Sequence, residues 1–156
     1  MVLRDVRLDA RGKEQVIQSL EALQARGGTH LFDAVVESCQ LLQSPPEGVV
    51  PADRKTAMQA VILLSDGQDR GSTIALEDMH RKLRAGEGKV PIFFTIAYGA
   101  TDDDKDDPDP PDRPLLEKIA ADTGGRAYSA LPGNIDKVLD EISSFFGARP
   151  RTAKEK

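Results

Sequence analysis

The sequence predicts an α/β fold with a doubly wound, mostly parallel sheet and helices on both of its faces. Two apolar runs, Ala60 to Leu64 and Pro91 to Ala97, are rich in β-branched and aromatic residues and have the length of strands covered on both faces in a parallel sheet. Around them lie segments whose apolar residues recur with helical spacing. Strands that alternate with helices imply crossover connections and parallel pairing. At 156 residues, 39% of them hydrophobic, the chain has the size and apolar content of one domain.

Taken in order, Val2, Val6, Leu8 and Ala10 alternate with Asp5, Arg7 and Asp9, the period of a strand with one face in water. From Lys13 to Ala25 the spacing of Val16, Ile17, Leu20 and Leu23 is helical, and Gly27-Gly28 stops it. A second helical stripe runs through Leu31, Ala34, Val35, Cys39 and Leu42, until Ser44-Pro45-Pro46-Glu47-Gly48 opens a surface connection that lasts to about Thr56. After the strand at 60–64, Ser65-Asp66-Gly67-Gln68-Asp69 has turn chemistry. Ser72 or Thr73 is then expected to cap a helix bearing Leu76, Met79 and Leu83, which Gly86 to Gly88 closes. The strand at 91–97 ends at Tyr98-Gly99.

Thr101 to Pro114 contains seven aspartates and four prolines and reads as a mobile loop, because it has almost nothing apolar to bury. A short helix around Leu115, Leu116, Ile119 and Ala120 follows, then Gly124-Gly125 and a short strand at 126–130. Asn134 is placed to cap a last helix with the stripe Ile135, Val138, Leu139, Ile142, Phe145 and Phe146. The residues from Arg149 onward read as a polar tail.

Composition excludes several classes. The net charge is −5, with 21 basic and 26 acidic residues spread along the chain, so there is no basic footprint for nucleic acid. Cys39 is the only cysteine, which rules out an intrachain disulfide and a thiolate metal cluster. No stretch approaches the roughly 20 apolar residues of a membrane span, and there is no phosphate-cradling glycine loop. His30 and His80 have no nucleophile at a spacing that suggests a catalytic pair. The compartment is not legible.

Two segments say more than the fold class. They are Gly27-Gly28-Thr29-His30-Leu31-Phe32-Asp33-Ala34 and Val61-Ile62-Leu63-Leu64-Ser65-Asp66-Gly67-Gln68-Asp69-Arg70-Gly71-Ser72. Both resemble the second and third loops of von Willebrand factor A domains, most closely those of the bacterial branch. Asp122-Thr123-Gly124-Gly125-Arg126-Ala127-Tyr128 and Ile142-Ser143-Ser144-Phe145-Phe146 resemble that family's last strand and closing helix. The resemblance runs from near Met1 to about Phe146, and divides the chain into a partial domain of this type at 1–148 and a tail at 149–156.

The resemblance implies a protein-binding module rather than an enzyme. In that family a divalent cation, Mg2+ or Mn2+, sits above the sheet, held by ligands from three loops, and takes an acidic side chain of the protein partner. Thr29 and Asp66 match the second- and third-loop ligands, and their oxygens are the hard donors such ions accept. The first-loop motif Asp-x-Ser-x-Ser does not occur in this sequence, and the match begins at the family's third strand. Two oxygen ligands are expected to hold Mg2+ poorly, since it gives up water reluctantly. The strand at 60–64 is then expected to lack a neighbour on one side, a free apolar edge through which two copies could pair as a homodimer, unless the rest of the domain is supplied by residues outside this sequence.

Each signal also has a plainer reading. Thr29 could cap the helix that follows it, and Asp66-Gly67 could be ordinary turn chemistry. Asp33 reads as structural, a carboxylate in the first turn of a helix. The aspartates of the 102–112 stretch lack the spacing of a calcium loop, and Cys39 reads as a small core residue. Two other function classes stay open beside the binding module: a metal-assisted phosphatase or hydrolase using Asp66, and an interaction domain that never binds metal.

Overall fold

A computed structural model describes residues 10–24, 27–43, 58–65, 68–85, 90–99 and 110–147. The expected strand at 2–8, the connection at 44–56, most of the acidic stretch and the polar tail lie outside these residues, as does Asp66. The elements are α1 (Ala10–Glu21), α2 (Leu31–Gln43), β1 (Ala60–Ser65), α3 (Leu76–Arg84), β2 (Ile92–Tyr98), α4 (Arg113–Asp122), β3 (Arg126–Ala130) and α5 (Ile135–Gly147). The three strands are all parallel, in the order β1-β2-β3, with Ala60 opposite Ile92 and Phe94 opposite Arg126. The chain is therefore α/β, as its alternating periods predict. Among the described residues no helix is long and apolar enough to cross a membrane.

Because side chains alternate across a strand, each face of the sheet is written in the sequence by parity. The odd-numbered residues Val61, Leu63, Phe93 and Ala97 join Leu31 and Val35 of α2, Met79 and Leu83 of α3, and Leu115, Leu116 and Ile119 of α4 in the larger core. The even-numbered residues Phe94, Ile96 and Ala130 pack against Val138 and Ile142 of α5 in a smaller one. Among the described residues three helices thus cover one face and a single helix the other. β2 is buried on both sides, as predicted for 91–97. β1 is not: Val61 and Leu63 pack inward, but Ile62 and Leu64 are 49% and 54% exposed. The expectation that 60–64 is covered on both faces is corrected here, since α5 lies over the β2–β3 half of its face.

Helix boundaries follow local chemistry, with some departures. α4 starts earlier than the sequence suggested, because the Asp112 carboxylate accepts from the Leu115 amide at 3.0 Å and Pro114 stands in the first turn, where its missing N–H costs nothing. The end of the acidic stretch is therefore a cap rather than loop. α3 begins after Ala75 with no side-chain cap, so neither Ser72 nor Thr73 performs the expected role. Asn134 accepts from the Leu131 amide at 2.7 Å, closing the turn before α5 rather than reaching into its first amides, while its carbonyl starts the helix. α1 runs slightly earlier than expected, and Ile17, Leu20 and Leu23 of its stripe are exposed.

Two contacts fasten the helical layer to the sheet. The Thr123 hydroxyl, at the end of α4, accepts from the Phe93 amide of β2 at 3.0 Å, and Thr95 Oγ1 donates to the Leu116 carbonyl at 2.9 Å. Two residues on, Gly125 lies so close to β2 that a Cβ there would stand 1.9 Å from the Phe93 carbonyl oxygen. Between α3 and α4, buried His80 places Nδ1 3.0 Å from Asp122 Oδ2 without the angle of a hydrogen bond, and Lys118 reaches the same carboxylate at 3.5 Å. No local sequence pattern reveals that pair.

The close approach at Gly125 sets a test. Gly125→Ala should lower folding stability by at least about 2 kcal/mol, read by urea denaturation, whereas Gly133→Ala, where a Cβ meets nothing within 4 Å, should change it by less than about 0.5 kcal/mol.

Candidate functional site

The two segments that carry the family resemblance meet in space. The loop before α2 and the loop after β1 run backbone against backbone, with the Arg70 amide donating to the Thr29 carbonyl at 2.7 Å. Glycines make this possible. A Cβ on Gly28 would stand 2.7 Å from the Arg70 carbonyl oxygen, one on Gly71 would press on the His30 ring at 3.0 Å, and Gly27 takes the left-handed φ of +79° that turns the chain into the approach.

Side chains then bind the loops to each other in both directions, a cap on α2 from one side and a clamp on the loop before α3 from the other. The first amides of a helix have no partner inside it, and those of Phe32 and Asp33 in α2 are satisfied from the other loop, 40 residues away in sequence. The Ser72 hydroxyl accepts from them at 3.0 and 3.1 Å, and the Asp69 carboxylate accepts from the Phe32 amide at 3.2 Å and from the Ser72 hydroxyl. In return Asp33 accepts from the Thr73 amide at 2.8 Å, the Thr73 hydroxyl at 3.1 Å and the Ile74 amide at 3.2 Å.

The electrostatics agree with this geometry. The Thr73 amide does most to hold the Asp33 carboxyl below its ordinary range, and it outweighs partial desolvation with help from Ile74 and the Thr73 hydroxyl. Burial pushes Asp69 upward, but the Ser72 hydroxyl and the amides of Phe32, Ser72 and Gly71 together leave it lowered. Both are therefore carboxylates recruited as hydrogen-bond acceptors.

These bonds separate the sequence readings. Asp33 is structural, as expected, though it acts by fastening the second loop more than through its own helix dipole. The Phe32 and Asp33 amides are taken by Ser72 and Asp69, so capping α2 through those amides is not the task of Thr29, which is left half-buried at the seam of the two loops. Asp66 lies outside the described residues; it directly follows Ser65, the last residue of β1, at the carboxyl end of the sheet. Sequence reasoning missed Asp69 and Ser72. Their three-residue spacing is that of a side chain bonding a nearby amide, but nothing local reveals that the helix they cap is α2.

As a cation site the described residues are incomplete. Asp69 and Ser72 cap α2 and Asp33 clamps the loop before α3, and among the described residues no three His, Cys, Asp or Glu side chains converge on a point. Thr29 alone does not fit Mg2+, which needs several oxygen ligands, so a bound ion there would depend on Asp66 and on further donors. A cavity of about 320 Å³ lined by Val36, Cys39, Gln43, Leu83 and Val90 opens at the other end of the sheet, at the start of β2. Cys39 packs partly against the larger core there, and burial pushes its thiol up, away from the reactive thiolate. No family model matches the chain, and no curated protein matches it.

Because both carboxyls are lowered in the folded state, their stabilisation is fully present above the unfolded range near pH 4 and is lost as pH falls through their folded values. The urea midpoint should accordingly drop below about pH 4. Asp69→Asn should flatten that drop, and Ser72→Ala should cost about 1 kcal/mol at neutral pH.

Proposed function

We propose that the chain is part of a von Willebrand factor A-type protein-binding module. In its complete form it would engage a protein partner through a divalent cation, Mg2+ or Mn2+, associated with Thr29 and Asp66. The observation that carries this reading is the seam itself. The Arg70–Thr29 backbone bond, the cap on α2 and the clamp from Asp33 hold the Thr29 loop against the loop that leaves β1, and Asp66 is the residue with which the chain leaves that strand. In parallel α/β sheets, ligands gather at the carboxyl ends of strands, and this seam is at such an end.

The chain's own contribution is rigidity. A hydroxyl and a carboxylate from segments far apart in sequence help hold an ion only if their loops keep a fixed separation, and the bonds of the seam hold residues 69–74 against the Thr29 loop without using the Thr29 side chain. Asp33 and Asp69 are engaged in the lock by several hydrogen bonds each. The ion would supply a positive centre with an open position for an acidic side chain of the partner. The role is recognition and involves no bond making or breaking.

A Mn2+ titration followed by amide NMR line broadening detects even weak occupancy. Broadening is expected at Thr29 and the residues around Arg70, at concentrations near millimolar for a site with so few protein ligands, and it should vanish in Asp66→Ala and weaken in Thr29→Ala. Broadening confined to the acidic stretch at 102–112, or unchanged in Asp66→Ala, would remove the cation from this reading and leave a metal-independent interaction domain.

A further inference from the structure

Directly after Thr29 stands His30, whose side chain is 56% exposed yet bounded on two sides. A Cβ on Gly71 would lie 3.0 Å from its Nε2 and 3.1 Å from its Cε1, so the ring rests against the loop that leaves β1, in space that any other residue at 71 would fill. Its Nδ1 faces Asp33 Oδ2 at 3.8 Å, too long for a hydrogen bond but close enough for charge to act. That carboxylate is itself held in place by the Thr73 amide, which donates to the same oxygen at 2.8 Å.

A fixed carboxylate behind one imidazole nitrogen is the arrangement that orients metal-ligating histidines, because it favours the proton on that nitrogen and leaves the other with its lone pair. Here the second nitrogen is Nε2, on the Gly71 side, and the loop on that side begins with Asp66. Residues 29 and 30 thus bring one oxygen and one nitrogen donor to the seam. Mg2+ takes oxygen ligands and gives up water reluctantly, so this pair does not suit it. Ions such as Zn2+ and Co2+ accept imidazole together with carboxylate oxygen.

We propose that His30 is a metal ligand through Nε2, and that the seam takes a transition ion of the Zn2+ or Co2+ type in preference to Mg2+. The inference rests on the reading of the seam as a cation-dependent binding site. Thr29, His30 and Asp66 then make three protein ligands, and zinc sites with three leave a fourth position for an exchangeable group, here the carboxylate of the partner. Asp33 is a positioning residue, which orients the imidazole from the side away from the ion. The only other histidine, His80, is buried between α3 and α4 and has no part in the site.

Zn2+ and Mg2+ titrations of the full chain, followed by nitrogen–proton NMR correlations of the two histidine rings and by backbone amide shifts, test this. Zn2+ should move the His30 Nε2 resonance, leave the His80 ring unmoved, and saturate at a concentration at least about tenfold below that at which Mg2+ moves the Thr29 amide. In Asp66→Ala the His30 response should weaken by at least about tenfold. His30→Gln keeps an exposed polar side chain at the position, so circular dichroism should not change. It should abolish the preference for Zn2+ while Mn2+ still broadens the Thr29 amide. Zn2+ that leaves the His30 ring unmoved, with Asp66-dependent Mn2+ broadening at Thr29 retained, overturns the role of His30 and leaves the cation reading standing. A His30 response that survives unchanged in both Thr29→Ala and Asp66→Ala also overturns it, since that ion is held apart from the seam. Absence of any response to Zn2+ or Mn2+ at residues 29–30 and 70–71 removes both readings together.

Discussion

The exchange of hydrogen bonds between the start of α2 and the loop after β1 is the constraint on which the arrangement at the end of the sheet depends. A helix needs acceptors for its first amides, and a loop needs some reason to hold one conformation. Here each need meets the other, with Ser72 and Asp69 serving α2 while Asp33 serves the loop. The exchange works only because glycines at 28 and 71 let the main chains come within hydrogen-bonding distance. Replacing either glycine or either carboxylate removes a contact that the two loops share, so each such change acts on both loops at once.

The sheet below is built unevenly, and the unevenness follows from the distribution of helices. Three of them cover the odd-numbered face and converge on Phe93, Thr95 and Ala97, which explains why β2 is the best buried element. Among the described residues the even-numbered face has only α5, whose stripe of Ile135, Val138 and Ile142 covers the β2–β3 half. β1 is left with a packed side and an open one. An apolar strand of this kind has a sequence suited to a central position in a sheet and, among the described residues, the place of an edge.

Much of this was legible in the sequence. The β1 and β2 runs, the helical stripes of α2, α4 and α5 and the parallel arrangement all follow from period and composition, because burial acts residue by residue along a strand or helix. What local patterns did not show was contact between distant parts of the chain. Ser72 carries a good capping side chain just before a helix, yet it caps a different one. Likewise His80 looks like an irregularity on an amphipathic helix until α4 brings Asp122 beside it. Continuous apolar character at 60–64 says that a strand prefers cover on both faces, not that its neighbours supply it.

The contact at Gly125 has a consequence for how this sequence can drift. The space between the end of α4 and β2 is filled by a hydrogen atom, and the Thr123 hydroxyl two residues earlier is committed to a β2 amide. A lineage could exchange Leu116 for Ile119-like residues or trade the Asp33–Thr73 pair for another acceptor and donor in two steps. At position 125 there is no intermediate step, because the smallest possible addition already overlaps backbone. Descendants of this sequence should therefore vary freely on the exposed surfaces of α1 and α3 while keeping this junction unchanged, and its persistence would mark common ancestry after most of the remaining identity had been lost.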